Sequence, residues 1–172
     1  MTSLQEKKES APKTQQVKRI AIIRLKGTTG LKPDVRETLK LLRLYKKHTA
    51  IVVPSTPAYI GMIDRVKETV TWGEIDSATC KLLLEKRGRL PGKQSITPAY
   101  IKEKSKLDLD AFVNEFMAVK KELKDIPGLK PFFKLMPPAK GFEKKGLKAQ
   151  FSMGGSLGYR KHLINELLQR MI

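Results

Sequence analysis

The sequence has little of the chemistry that disulfides and metal sites need. It contains one cysteine, Cys80, and two histidines, His48 and His162. A single cysteine excludes an internal disulfide, and these side chains are too few for a structural zinc site, which takes four Cys or His ligands. We therefore expect no metal and no cofactor, and the cysteine content fits a reducing compartment.

Long apolar segments are also missing. No apolar run approaches the roughly 20 residues that a transmembrane helix needs. Residues 1–18 are polar and of mixed charge, and they lack the apolar core of a secretion signal. We predict that they form a flexible polar tail and that the protein is intracellular, with no membrane partner.

Acidic residues are scarce as well. Lysine and arginine number 35 against 17 aspartates and glutamates, which gives a net charge of +18. This excess is larger than solubility requires and predicts a polyanionic partner, for which nucleic acid is the leading candidate. The 172 residues, of which 40% are hydrophobic, allow one domain or two small ones.

The segment after His48 predicts a buried strand that turns directly into a helix. An apolar run over residues 50–53 stops at Pro54. Thr56 then suits a helix N-cap, and Pro57 suits the first helical position, where no amide hydrogen is needed. The apolar residues beyond them recur at helical spacing.

Two further strands and one more helix surround this segment. Residues 19–26 and 70–75 are short and rich in β-branched side chains, and Pro33 opens a helix between the first two strands. This order predicts an α+β fold, with a βαβαβ two-layer core of the split βαβ, ferredoxin-like kind over residues 19–76. Residues 77–172 are predicted to add a mainly helical extension with basic loops.

The first helix is predicted to carry a basic stripe. If it runs from about Pro33 to Lys47, then Arg36, Lys40, Arg43 and Lys47 fall at i, i+4, i+7 and i+11 on one face. A stripe of one sign repels itself slightly and favours an external anion. A solvated face is the alternative, but the charge of the whole chain favours contact with nucleic acid.

The loop before this helix is basic and contains glycine. Gly27 and Gly30 let the backbone approach another surface closely, and Arg24, Lys26 and Lys32 surround them. We predict that this loop contacts phosphates. An ordinary strand-to-helix turn is a compatible alternative.

The second half of the chain predicts helices and basic turns. A helix that ends at Gly88 leaves Arg87, Arg89 and Lys93 around a Pro-Gly turn, where they are candidate RNA contacts. Another helix is predicted over residues 109–124 from the spacing of its apolar side chains. The carboxylates at its start are interpreted as structural caps and not as catalytic groups.

Basic and aromatic residues alternate near the end of the sequence. Between Asp125 and Glu166 the only acid is Glu143. Cations here can neutralise phosphates while rings stack on bases or pack in the core, and packing is the favoured role for the phenylalanines. The glycine-rich turn over residues 154–158 lacks the Gly-Lys-Ser/Thr of a Walker loop and the flanking helices of a KH domain. The candidate RNA-binding residues are Lys140, Lys144, Lys145, Lys148, Arg160 and Lys161.

Several segments resemble a known family. KKHTAIVVPSTPAYIGMIDRVK, followed by VTWGEI, is similar to the signature of the large-subunit ribosomal protein L-thirty family. The later segments DSATCKLLLEKRGRL, PGLKPFFKLMPPAKGFEKKG and INELLQRM resemble its longer archaeal form, which is related to the eukaryotic ribosomal protein L-seven. The resemblance covers nearly everything after Lys18.

This resemblance implies a structural, non-catalytic protein of the large ribosomal subunit, acting in translation in the cytoplasm. It implies binding to large-subunit ribosomal RNA near 5S RNA, with other large-subunit proteins as neighbours and no small-molecule substrate. Two alternatives come from the residues alone. A free nucleic-acid-coating or chromatin-type protein would share the charge. A small nuclease would need an acid cluster or a histidine pair, neither of which stands out in the sequence.

Overall fold

The computed structural model describes residues 18–105 and 107–172, and for Lys93 it describes the backbone alone. Apart from Lys18, the tail predicted over residues 1–18 lies outside the described residues. Five strands are present in this part of the chain, namely β1 (Arg19–Arg24), β2 (Thr49–Pro54), β3 (Val70–Glu74), β4 (Phe133–Lys134) and β5 (Gly158–Tyr159). Its six α-helices are α1 (Pro33–Leu41), α2 (Pro57–Val66), α3 (Ser77–Arg87), α4 (Pro98–Ser105), α5 (Leu109–Met117) and α6 (Ile164–Met171).

One mixed sheet joins the five strands in the order β4-β2-β1-β3-β5. The central strand β1 is antiparallel to both β2 and β3, so β2 and β3 run parallel with one strand between them. That is the split βαβ arrangement, and the predicted α+β fold with a ferredoxin-like core is confirmed. Strand β4 pairs antiparallel with β2, and β5 pairs parallel with β3. The predicted extension therefore supplies both edges of the sheet.

Both faces of the sheet are covered by other elements. Ile22 belongs to a buried cluster with Leu39 of α1 and Ile63 of α2. Ile23 belongs to the opposite cluster, which includes Phe112 of α5 and residues of α3 and α6. Because successive residues of a strand face opposite sides, β1 is buried along its whole length. The later residues add a third layer to the two-layer core, while the division of the chain into domains stays a prediction.

The predicted basic stripe is wrong, because α1 ends well before Lys47. Arg43 adopts a left-handed backbone conformation with φ at 57°. Its N–H donates to the carbonyl of Lys40 at 2.9 Å, and the N–H of Leu44 donates to the carbonyl of Leu39 at 2.8 Å. These two bonds form a Schellman helix end. Both leucines are buried in the same cluster, which stabilises this early stop.

The helix predicted over residues 109–124 also ends earlier, as α5. Val119 has φ at 61°, which is rare for a β-branched residue. The N–H of Lys120 donates to the carbonyl of Glu115 at 3.0 Å, so this end closes in the same Schellman manner. The chain then reverses away from the helix axis, and Leu123 is buried in a short 3-10 turn.

A buried arginine fixes the segment after α5. The side chain of Arg19 donates from Nε to the carbonyl of Phe116 at 2.9 Å and from Nη2 to the carbonyl of Lys121 at 2.7 Å. Its guanidinium also lies 4.1 Å from the centre of the Phe116 ring. Burial lowers the pKa of this arginine. The first strand is thus tied to a segment about a hundred residues further along the chain.

Candidate nucleic-acid interface

Two predicted contact regions meet at one end of the sheet. Because β1 is antiparallel to its neighbours, its last residues lie beside the first residues of β2 and β3. The N–H of His48 donates to the carbonyl of Arg24 at 2.7 Å, and that of Leu25 donates to the carbonyl of Thr69 at 3.0 Å. The loop before α1 and the segment after it are therefore held side by side.

Arg24 organises this end of the sheet from within. Its buried guanidinium donates to the carbonyls of Lys26 at 2.9 Å, Leu44 at 2.7 Å and Tyr45 at 3.0 Å. Burial lowers its pKa. Arg24 was predicted as an RNA contact, but the structure places its guanidinium inside, bonded to both loops. We therefore leave it out of the interface proposed below.

The other predicted contacts at this end reach solvent. Lys26 is half-buried and the rest are exposed. None of them forms a salt bridge with a described acid. Lys46 and Lys67 are also exposed near this end, and sequence reasoning missed them because neither lay on a predicted stripe. We call the predicted cations of the loop before α1, of α1 and of the segment after it the sheet-end cations: Lys26, Lys32, Arg36, Lys40, Arg43 and Lys47. Of these, Arg43 lines a cavity along β2 that also touches Arg19 and Pro54 at the opposite end of the sheet.

Arg160 plays a similar internal role near the other edge. Its buried side chain donates from Nε to the Thr71 hydroxyl at 3.0 Å and from Nη2 to the carbonyl of Ser156 at 3.0 Å. It also forms a bidentate pair with Glu143, in which Nη2 lies 2.8 Å from Oε2. The guanidinium sits 4.5 Å from the centre of the Phe151 ring. Arg160 is therefore left out of the proposed interface as well.

Glu143 is the acid that this arginine holds. Burial raises the pKa of its carboxyl, but hydrogen bonds from Arg160 and Ser156 outweigh that effect and lower the pKa to about 2. Arg170 lies 3.6 Å from the same carboxylate. The one acid between Asp125 and Glu166 therefore points at buried or half-buried arginines and leaves the surrounding lysines unneutralised.

These lysines are exposed around the glycine-rich turn. None of them forms a salt bridge within the described residues. Lys140 and Lys161 have left-handed backbone conformations, with φ at 65° and 52°. Such strained positions concentrate at functional sites, although turns also use them. We call this group the turn cations: Lys140, Lys144, Lys145, Lys148 and Lys161.

A third basic cluster lines a cleft beside edge strand β4. Four cations and one aromatic ring line the cleft, namely Arg87, Arg89, Lys130 and Lys134 with the ring of Phe132. They come from two distant parts of the sequence, joined where the N–H of Lys130 donates to the carbonyl of Arg89 at 3.1 Å. The two arginines were predicted as RNA contacts, and the other three residues lie in the stretch where basic and aromatic residues alternate. The side chain of the predicted contact Lys93 lies outside the described residues.

Several cations on and around α3, α4 and α5 are instead paired with acids. Lys81 pairs with Asp110, and similar pairs join nearby lysines to acids. All these groups keep a third or more of their side-chain surface exposed, except Lys121 at 31%. This part of the surface carries its own countercharges. The other pairs are Lys102 with Asp108, Lys104 with Glu103, Lys121 with Glu115 and Lys124 with Glu122.

Other kinds of site are not found in the described part of the chain. It contains no group of three or more His, Cys, Asp or Glu side chains that could hold a metal ion. None of its helices has the length and apolar character needed to cross a bilayer. Cys80 is buried, and burial raises the pKa of its thiol to about 12, so it stays protonated and unreactive.

Comparison with known proteins gives a consistent result. Residues 20–70 match the family model described as "Ribosomal protein L30p/L7e". A protein of Methanosphaera stadtmanae is 46% identical over 88% of this chain and 99% of its own length. Relatives from Nanoarchaeum equitans and Methanopyrus kandleri are 43% and 40% identical over 88% and 86% of this chain, and over 97% and 100% of their own lengths. All three are named "Large ribosomal subunit protein uL30".

Proposed function

Because this chain belongs to the ribosomal protein L30p/L7e family, in its archaeal form, we propose that it binds large-subunit ribosomal RNA through its exposed, unpaired cations. It is a structural constituent of the large ribosomal subunit in the cytoplasm, where it serves translation, and it is not an enzyme. The RNA contacts are assigned to the sheet-end cations and the turn cations, with further contacts around the cleft.

The observation that carries this proposal is the separation of paired from unpaired cations. The described ion pairs lie around α3 to α5 and at Glu143. The sheet-end cations and the turn cations have no described acid within salt-bridge distance. Unpaired lysines at a folded surface repel one another, and binding RNA phosphates relieves that repulsion while releasing counterions from the RNA.

The mechanism is electrostatic and geometric. Arg24 and Arg160 tie the loops that carry the unpaired cations to β1 and β3 through buried hydrogen bonds. The spacing of the exposed charges is therefore set before RNA arrives, which reduces the entropy lost on binding. Specificity arises from RNA shape more than from base edges, because flexible lysines bind phosphates as point charges.

A position near 5S RNA and contacts with neighbouring large-subunit proteins form the finer part of the proposal. They rest on the family resemblance. The exposed apolar side chains Leu41, Tyr45 and Ile60 are available to protein neighbours, since exposed apolar side chains are common at interfaces.

Cell fractionation tests the proposal directly. Lysate is separated on a sucrose gradient after a high-salt wash, and the chain is followed by mass spectrometry. We expect it to remain with the large subunit. In parallel, the purified chain is titrated with large-subunit ribosomal RNA and with duplex DNA of equal length. Equal affinity for both, together with a soluble or DNA-bound pool in cells, would favour the free nucleic-acid-coating alternative.

A further inference from the structure

The cleft beside β4 combines features that the other two basic groups lack. Phe132 is half-buried at its wall, and four cations surround it. None of those cations has an Asp or Glu side chain within salt-bridge distance among the described residues. An aromatic ring beside four cations that lack described acidic side-chain partners differs chemically from a lysine patch, which offers charge alone.

Phe132 keeps part of its ring accessible at the edge of the sheet. Phe133 pairs with Ala50 of β2 and is buried in the core. Phe132, just before β4, faces the other side, where it packs against the edge of the buried cluster around Ile22 and stays half-buried. Tyr45 contacts Phe132 edge-on, with ring centres 6.3 Å apart and an angle of 81° between the rings. The phenylalanine ring is therefore fixed in orientation at the sheet edge.

The cations of the cleft are anchored as well. Arg87 stands at the end of α3 and donates to the main-chain oxygen of Ile172. Its Nε has no hydrogen-bond partner among the described residues. Arg89 donates to the hydroxyl of Ser95, and its carbonyl holds the backbone of Lys130. The two arginines thus keep a defined position relative to Phe132.

We propose that this cleft binds an unstacked nucleotide of RNA, with its base against Phe132 and its flanking phosphates on Arg87, Arg89, Lys130 and Lys134. This inference rests on the proposed RNA-binding function and names the kind of RNA element recognised. A paired A-form helix keeps its bases stacked and presents only phosphates and sugars to protein side chains. A bulged or looped base exposes a π-face that an aromatic side chain can stack on, whatever its sequence.

The test uses the full chain and two RNA hairpins that differ by one nucleotide. One hairpin carries a bulged 2-aminopurine in its stem, and the other is fully paired. We expect the wild-type chain to bind the bulged hairpin about tenfold more tightly and to change the 2-aminopurine fluorescence. In Phe132→Leu, which keeps an apolar side chain, we expect the tenfold preference and the fluorescence change to disappear, so that both hairpins bind equally.

A matched control removes another exposed ring from the same sheet. Tyr159 lies on β5 at the opposite edge and is 47% exposed, so Tyr159→Leu should keep the preference.

If the Phe132 variant does not fold, the wild-type chain is irradiated with a hairpin carrying 4-thiouridine at the bulge. Crosslinks are expected in the peptide that contains Phe132, and crosslinks found only elsewhere would overturn the assignment.

The outcomes separate this inference from the proposed function. Tight and equal binding of both hairpins by the wild-type chain would overturn the nucleotide site and leave RNA binding in place. A preference that survives in Phe132→Leu would also overturn it, since the bulge would then be recognised by other residues. Failure to bind either hairpin at low salt would overturn both proposals.

Discussion

The sheet end and the helical region around α3 to α5 both expose cations, but among the described residues acid partners are found only around α3 to α5. Lys102 and Lys121 have acids at 3.2 and 3.0 Å. At the sheet end, Lys32 and Lys47 are exposed without a described partner. Exposed pairs contribute about 0–1 kcal/mol each to stability. Charge balance, and not the number of cations, therefore distinguishes the candidate interface from the rest of the surface.

The buried arginines add a second difference between the regions. Near the sheet end and the glycine-rich turn, Arg24 and Arg160 donate their hydrogen bonds to main-chain carbonyls, a hydroxyl and Glu143. In that part of the molecule, the buried cations hold the loops and the exposed cations are free to bind. A basic residue in the sequence can take either role, and only burial separates the two.

The largest expected effect comes from removing exposed cations of the candidate interface. Replacing Lys26, Lys47, Lys144 and Lys145 with glutamine should weaken binding to large-subunit ribosomal RNA roughly a thousandfold at 0.1 M salt. The slope of log affinity against log salt should flatten by about three units, since four phosphate contacts are lost. Filter binding at several salt concentrations measures both quantities.

The matched control removes the same total charge from the paired region. Glutamine at Lys102, Lys104, Lys121 and Lys124 changes the net charge by the same amount but removes cations that already have acid partners. We expect a much smaller loss of affinity and almost the same salt slope. Equal losses in the two variants would show that net charge alone drives binding and that pairing does not define the interface.

A smaller effect is expected on stability when the acid of the basic region is removed. Glu143→Gln leaves the guanidinium of Arg160, which is 2% exposed, without its countercharge. We expect a loss of about 2–3 kcal/mol in the free energy of unfolding at neutral pH. Urea unfolding measures it. Arg170→Gln is the control, since Arg170 is more exposed and lies 3.6 Å from the same carboxylate, and it should cost less than about 1 kcal/mol.

The effect of Glu143→Gln should also depend on pH in one direction. The pKa of Glu143 is lowered from 4.5 to about 2 in the folded chain. A lowered carboxyl pKa stabilises the fold above the unfolded pKa, and that contribution is lost as pH falls through the folded pKa. The stability gap between wild type and variant should therefore shrink from about pH 4.5 towards pH 2. A gap that stays constant would mean that the carboxylate charge is not what Arg160 requires.

Local sequence patterns were sufficient for the three core strands and for the start of α2. Thr56 and Pro57 mark the start of α2 at the predicted positions, although the Thr56 hydroxyl makes no capping hydrogen bond. The three core strands follow from β-branched runs between basic residues. These features depend on neighbours in the sequence, so periodicity and capping rules detect them.

The early helix ends and the buried arginines could not be predicted in this way. Arg43 and Val119 occupy positions where glycine is usual, so the apolar spacing ran on without a stop signal. Arg19 is buried because its guanidinium donates to distant carbonyls, and Arg160 because its guanidinium donates to the distant Thr71 hydroxyl and to Glu143. The cleft has the same origin, since its arginines and its phenylalanine lie more than forty residues apart in the sequence. Such sites depend on tertiary contacts that no local pattern records.

The smallest expected effect tests why arginine occupies the end of α1. At φ of 57°, a residue with a side chain is strained, and glycine is not. Arg43→Gly should therefore raise the free energy of unfolding by about 0.5–1 kcal/mol, measured by urea unfolding. The same change removes one sheet-end cation, so affinity for ribosomal RNA should fall and the salt slope should flatten by about one unit.

Val119→Gly provides the matched control in the paired region, because Val119 ends α5 with the same backbone geometry at φ of 61°. It relieves the same strain and removes no charge, so RNA affinity should not change. Stabilisation in both variants, with weaker RNA binding only in Arg43→Gly, would mean that arginine is retained at a strained position for its charge. If Arg43→Gly instead destabilised the fold and bound RNA normally, Arg43 would belong with Arg24 and Arg160 among the arginines that hold the structure together.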